Sequence, residues 1–134
     1  MRQTVYNSVK VVQVIAPGAQ RTNGAVNGTA VDRLQAGVWF RSAMIVVHSG
    51  AITDGTHTVT VEESDNGTDW TAVATADLQG APPAIGGSDD NKLWEIGYVG
   101  SKRYIRPVLT TATATTGGYV DALVLLGVRP VQRP

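Results

Sequence analysis

The sequence predicts an all-β protein: one antiparallel β-sandwich of jelly-roll-like form. Three observations carry this. Short runs alternate apolar and polar residues with period two. The runs recur at roughly ten-residue spacing between Gly, Pro, Asn and Asp. No segment offers a helix-length apolar stripe of period 3.6. Composition agrees, with 43% hydrophobic and only 16% charged residues, the difference being made up by Thr, Ala, Gly and Val, which suit pleated strands and tight turns. A chain of 134 residues fits one domain, here taken as residues 1–134, and can bury one modest core.

In chain order, residues 1 to about 8 read as an extended N-terminal arm. Val9 to Ile15 is a β-branched strand stopped by Pro17-Gly18. Asp32-Arg33-Leu34-Gln35-Ala36 allows one helical turn. Val38 to His48 is a strand whose continuous run Met44-Ile45-Val46-Val47 suggests burial on both faces. After an Asp54-Gly55 turn comes the strongest local signal, a hairpin. His57 to Glu63 places Val59 and Val61 on one face and Thr58, Thr60 and Glu62 on the other. Asn66-Gly67 supplies the reversal, and Trp70 to Ala74 returns, with Trp70 expected to cover the apolar face.

Gln79 to Asn91 is the longest structureless connection. Leu93 to Val99 puts Trp94, Ile96 and Tyr98 on one face. Arg103 to Thr110 contains Pro107, which assigns it to a sheet edge or a bulge. Tyr119 to Gly127 sets Val120, Ala122, Val124 and Leu126 against Leu123 and Leu125 on the other side. Residues 129 to 134, with two prolines, read as a projecting C-terminal arm.

The bulk chemistry narrows function. Eleven basic and eleven acidic residues give zero formal charge, which argues against nucleic acid as partner because phosphate neutralisation normally supplies that affinity. Lys102, Arg103, Arg106, Arg129 and Arg133 make the C-terminal third basic, while Glu62, Glu63, Asp65, Asp69, Asp77, Asp89 and Asp90 make the middle acidic. That asymmetry suits complementary contacts between subunits. There is no cysteine, and no apolar run of signal-peptide or membrane-span length, so a protein made in a reducing cytoplasm and not embedded in a membrane is expected. Asn27-Gly28-Thr29 and Asn66-Gly67-Thr68 match the glycosylation sequon but read as turns.

No catalytic, metal-binding or cofactor site is expected. No serine sits in a Gly-x-Ser-x-Gly elbow. His48 and His57 flank a connection and could face each other across a hairpin, but lack further ligands at recognised spacing; exposed strand ends are the simpler expectation. Asp65, Asn66 and Asp69, and likewise Asp89, Asp90 and Asn91, resemble fragments of calcium loops without the closing glutamate, and turn chemistry accounts for both. Glu62 and Glu63 point to opposite faces and cannot act together. Trp39, Trp70 and Trp94 could stack on a sugar if exposed, but a sandwich this small is expected to bury them.

Two stretches, Thr58-Val59-Thr60-Val61-Glu62-Glu63-Ser64-Asp65-Asn66-Gly67-Thr68-Asp69-Trp70 and Gly97-Tyr98-Val99-Gly100-Ser101-Lys102-Arg103-Tyr104-Ile105-Arg106-Pro107, resemble small tailed-phage proteins encoded among the head genes. The ending Ala122 to Pro130 is similar too, so the resemblance spans roughly residues 40 to 134. Those proteins look like capsid decoration, or cement, proteins. The resemblance implies a structural virion protein: a trimer on the outer capsid surface that grips the major capsid protein and stabilises the shell, without a catalytic residue. Contact surfaces are expected around Val5 and Tyr6, along the loop from Pro82 and Pro83 to Asn91, and on the tail at Arg129, Pro130 and Arg133. The hairpin and the Arg103-Tyr104-Ile105-Arg106 strand are also similar to discoidin-like jelly rolls, which implies binding of cell-surface glycans as an alternative. A head–tail connector or tail protein is a third.

Overall fold

The computed structural model describes residues 4–18 and 20–127. A helical turn, α1 (Val5–Ser8), leads into β1 (Val9–Ile15), β2 (Gly24–Asn27), β3 (Val31–Asp32), β4 (Leu34–Gln35) and β5 (Val38–Trp39). Then follow β6 (Ser42–Ile52), β7 (Thr56–Ser64), β8 (Thr71–Ala72), β9 (Leu78–Gln79) and β10 (Ala84–Ile85). β11 (Leu93–Tyr98), β12 (Tyr104–Ala112) and β13 (Gly118–Gly127) complete the order, with a 3-10 turn at Thr75–Asp77.

Two antiparallel sheets enclose one core, as an all-β sandwich requires. One sheet runs β1-β13-β6-β11-β9; the other runs β10-β7-β12-β2, with β3 also on β12 and β8 also on β7. Period-two patterning decides which side of each strand is buried. Ile45, Val47, Ile96, Val124 and Leu126 fill the core from the first sheet, and Val59, Val61, Ile85, Ile105 and Leu109 from the second. Each such side chain contributes roughly 1.5–3 kcal/mol on burial.

Several elements depart from the sequence expectation for physical reasons. Residues 5–8 of the expected extended arm coil into a turn, because the Thr4 side chain accepts a hydrogen bond from the Asn7 amide. Residues 31–39 form strand and hairpin rather than a helical turn. Ala36 and Gly37 both have positive φ (51° and 78°), the geometry of a two-residue reversal between β4 and β5. β6 alternates buried and partly exposed residues, so among the described residues only one of its faces is fully covered. Gln79 to Asn91 is not structureless, since Ala84 and Ile85 pair with β7.

Pro107 sits inside a sheet rather than at its edge. Its missing donor faces the break between β2 and β3, where the register of the strand opposite β12 steps, and its carbonyl accepts from the Gly28 amide at 2.8 Å. A side chain at Gly28 would collide with the Pro107 backbone at 2.7 Å, so glycine is required there.

Candidate functional site: an apolar sheet face

The two sheets present unlike outer surfaces. On the six-stranded sheet, Thr58, Thr60 and Glu62 of β7 lie beside Arg106 and Thr110 of β12. Arg106 binds Glu62 at 2.8 Å, and the Trp70 ring covers its guanidinium at 4.2 Å. That surface is polar and internally satisfied.

The five-stranded sheet differs. Register aligns Val11, Leu125 and Met44 in one row across β1, β13 and β6, and Gln13, Leu123, Val46 and Glu95 in the next. A third row, Asp121, His48 and Leu93, closes the patch with a His48–Asp121 contact of 3.2 Å. These residues point away from the core, because Val120, Ala122, Val124 and Leu126 take the inward positions of the same strand. Val5 and Tyr6 of α1 stand beside the first row at 75% and 81% exposure, and Val11 is 58% exposed. Together with Val9, Lys10 and Leu125 they line an open depression of about 420 Å³. Val11 is exposed and Met44, Val46, Leu123 and Leu125 are half-buried, which makes this outward aliphatic patch the candidate site.

A second cluster is structural. Arg33 is 1% exposed, and its guanidinium donates to the carbonyls of Phe40, Gly100, Lys102 and Arg41 at 3.2, 3.3, 2.6 and 2.8 Å. It lies 5.1 Å from the ring centres of both Trp39 and Tyr98. The Tyr98 hydroxyl donates to Glu63 at 2.6 Å and accepts from the Lys102 amide at 3.1 Å. Burial, reinforced by the Glu63 hydrogen bond, holds the phenol well above its ordinary pKa, and burial draws Arg33 below its own. The cluster ties residues 99–103 and 33–41 to β7.

The tryptophans therefore do not share the fate expected of them. Trp94 packs against the core, Trp39 covers Arg33, and Trp70 covers Arg106 on the polar outer face instead of the hairpin's apolar one. They stand on separate elements with separate partners. The histidines separate as well. His48 is exposed on the five-stranded sheet, whereas His57 is fully buried in the other, its ring nitrogens 2.8 Å from the Thr111 hydroxyl and 3.2 Å from the Asp54 carbonyl. A neutral imidazole that donates to that carbonyl and accepts from that hydroxyl is fully satisfied. The Asp54-Gly55 connection crosses between sheets, so the two imidazoles do not face each other across a hairpin.

Turn chemistry accounts for the two calcium-like runs. Asn66 accepts from the amides of Thr68 and Asp69, both at 2.9 Å, and Asp89 accepts from Gly86 and from Lys92. Three of the five cations of the C-terminal third pair within the chain: Lys102 with Asp65, Arg103 with Asp32 and Arg106 with Glu62, each at 2.8 Å. Those cations are engaged internally rather than offered to a neighbour.

Of the residues expected at contact surfaces, Val5 and Tyr6 are exposed beside the apolar sheet face. Pro82 is half-buried, and Pro83 is buried because its carbonyl is held by the Val59 amide at 2.9 Å. Arg129, Pro130 and Arg133 lie outside the described residues. The face itself was missed as a site, although Leu123 and Leu125 on the wet side of their strand and the unbroken Met44–Val47 run signalled it.

Among the described residues, no helix is long and apolar enough to cross a membrane. No family model and no curated protein matches the chain. The solved structure of the PBSX exported protein XepA is similar to it, with a TM-score of 0.65 and 18% sequence identity. The match covers 100% of this chain and 42% of that one, so the chain spans about two fifths of its structural neighbour. At this identity the likeness is one of fold, and it assigns the chain the sandwich architecture it shares with part of that protein.

Proposed function

We propose that this chain is a structural phage protein that acts by binding rather than catalysis. In this reading it is made in the host cytoplasm and decorates the outer capsid surface as a homotrimer, bridging copies of the major capsid protein. The observation that supports the reading is the outward apolar face around Val11, Met44, Val46, Leu123 and Leu125, of which Val11 is exposed and the other four are half-buried. The resemblance over residues 40 to 134 supplies the phage context and the trimer. Multivalency supplies the physical logic: modest contacts per subunit become durable when an oligomer spans several sites, and binding only the assembled shell stabilises that state.

Analytical ultracentrifugation of the purified chain tests the self-association. A trimer that Leu125→Glu dissociates, with the monomer still folded, supports the reading; a monomer at several hundred micromolar defeats the trimer. Copy number per purified particle, by quantitative mass spectrometry, tests location. Hundreds of copies indicate decoration, and about a dozen indicate a connector ring. The structural neighbour is described as exported, which favours as second reading a role outside the shell. Absence from purified particles would select it.

A further inference from the structure

The turn between β7 and β8 contains a reactive pair that is held shut. Asparagine followed by glycine is chemically labile, because glycine has no side chain to hinder attack by its backbone nitrogen on the neighbouring amide carbon. Asn66 is exposed, and Gly67 follows it at a φ of 81°. Every group that this reaction must move is nonetheless engaged. The Gly67 N–H, which has to be removed, donates to the Ser64 hydroxyl at 2.9 Å. The Asn66 side-chain carbonyl, whose carbon is the point of attack, accepts from the amides of Thr68 and Asp69, both at 2.9 Å, and from the Ser64 hydroxyl at 3.0 Å. The leaving nitrogen donates to the Asp69 carboxylate at 2.7 Å.

Ser64 is the centre of this arrangement. It is buried at the end of β7, where its hydroxyl also accepts from the Asn66 amide at 3.2 Å. Tyr104, opposite it on β12, lays its ring over Gly67, 3.6 Å from where a Cβ would stand. The return limb leaves the turn as β8, two exposed residues that pair with Glu62 and Glu63 before Val73 re-enters the core. Opening the turn therefore frees only a short exposed segment and costs less than unfolding the sandwich.

We infer that Asn66–Gly67 is a one-way covalent modification site, closed by Ser64 and Asp69 while the turn is folded and open to deamidation when it is not. In the opened turn the Gly67 nitrogen loses its proton to solvent base and bonds to Asn66 Cγ. The Cγ–Nδ2 bond breaks, and that nitrogen takes up a proton from solvent and leaves as ammonia. Water then opens the resulting succinimide at either carbonyl, giving aspartate or isoaspartate, with no change of oxidation state. Neither product rebuilds the latch. Aspartate replaces the donor facing Asp69 with a carboxylate, crowding a third negative charge between Asp65 and Asp69. Isoaspartate reroutes the backbone through Cβ and lengthens the ring that the Thr68 amide closes. A copy that opens its hairpin is thus marked and disfavoured from closing it. The inference stands independently of the capsid reading.

The test follows deamidation site by site, by peptide mapping of the full chain held at pH 8 and 37 °C, beside a capped octapeptide with the sequence of residues 63–70. The folded chain should react at Asn66 at least about tenfold more slowly than the octapeptide, because several hydrogen bonds must break first. Ser64→Ala should raise the rate at Asn66 about tenfold over the parent. Asn23 and Asn27 also precede glycines and should keep the parent's rates. The deamidated product, separated by charge, should exchange its Gly67 amide hydrogen faster than the parent. Equal rates in chain and octapeptide overturn the inference, as does a Ser64→Ala variant that leaves Asn66 unchanged. Acceleration of all three sites together overturns it too, since protection would then belong to the whole fold rather than to this turn. Undiminished protection of Gly67 in the product would show that the latch re-forms and would remove the one-way character.

Discussion

Replacing Arg33 by methionine removes a buried guanidinium around which two loops are fastened. Four carbonyls lose a charged donor, each such hydrogen bond being worth roughly 1.5–3 kcal/mol. Against this stands the cost of holding an ion out of water, several kcal/mol, which methionine does not incur. The Gly100, Lys102 and Arg41 carbonyls are only partly buried and regain solvent, whereas the Phe40 carbonyl is enclosed and stays orphaned. Contact of the cation with the Trp39 and Tyr98 rings adds about 1 kcal/mol. The balance is a net loss of about 3 kcal/mol. For a domain of 134 residues that corresponds to a fall in Tm of about 12 °C. Urea unfolding followed by tryptophan fluorescence reads it directly, because Trp39 lies over the substituted group. The midpoint should drop with the m-value unchanged. Arg33→Lys should recover less than half, since an ammonium cannot reach carbonyls spread around a planar fork. A methionine variant within about 1 kcal/mol of the parent would refute the reasoning, showing that desolvation cancels the hydrogen bonds.

Three further outcomes follow from neighbouring features. Tyr98→Phe deletes the hydroxyl that bridges Glu63 and the Lys102 amide and should cost about 1–2 kcal/mol in the same urea assay. The folded phenol titrates above its ordinary value, so the parent's stability from this group is intact below about pH 10 and lost as pH rises through the folded value; the phenylalanine variant should lack that alkaline decline. Asp54 accepts from the amides of Gly117, Thr116 and Thr115, and these bonds hold its carboxyl below the ordinary range. Its contribution is present above about pH 4 and lost on acidification through the lower folded value, so Asp54→Asn should reduce stability at pH 7 and flatten the acid limb, as urea midpoints at pH 7 and pH 2.5 will show. Leu125→Glu should leave Tm within a few degrees of the parent, because the residue is on the outer face, while changing the sedimentation behaviour.

Much of the fold was legible because burial here follows simple alternation. Val59 and Val61, Ile96 and Tyr98, and Val120 through Leu126 each lie on the face that period two assigns. What failed was long-range. The Asp32–Ala36 segment looked helical because its reversal depends on Ala36 entering the left-handed region, which its residue type does not advertise. Pro107 was expected at a sheet edge or a bulge, and the second holds: the strand opposite β12 carries one extra residue between Asn27 and Val31, although nothing local says that the bulge lies inside the sheet. His57 was expected at an exposed strand end, and its burial depends on Thr111, 54 positions away. Trp70 was assigned to the apolar side, since the Arg106 that attracts it comes from a distant strand. The interaction face was half legible. The Met44–Val47 run was expected to be buried on both faces, whereas Ile45 and Val47 are buried and Met44 and Val46 only partly so, a difference that no local signal announces.

The pairing of β1 with β13 fixes when this domain can close. Among the described residues β13 is the only strand partner of β1, Val9 lying opposite Gly127. A ribosome delivers the opening strand more than a hundred residues before its mate. During that interval a proline-free, aliphatic stretch stays ready to adhere to any other nascent chain. Folding of this domain is therefore deferred until β13 has been made, and translation speed and temperature should govern the soluble yield more strongly than the stability of the finished domain does.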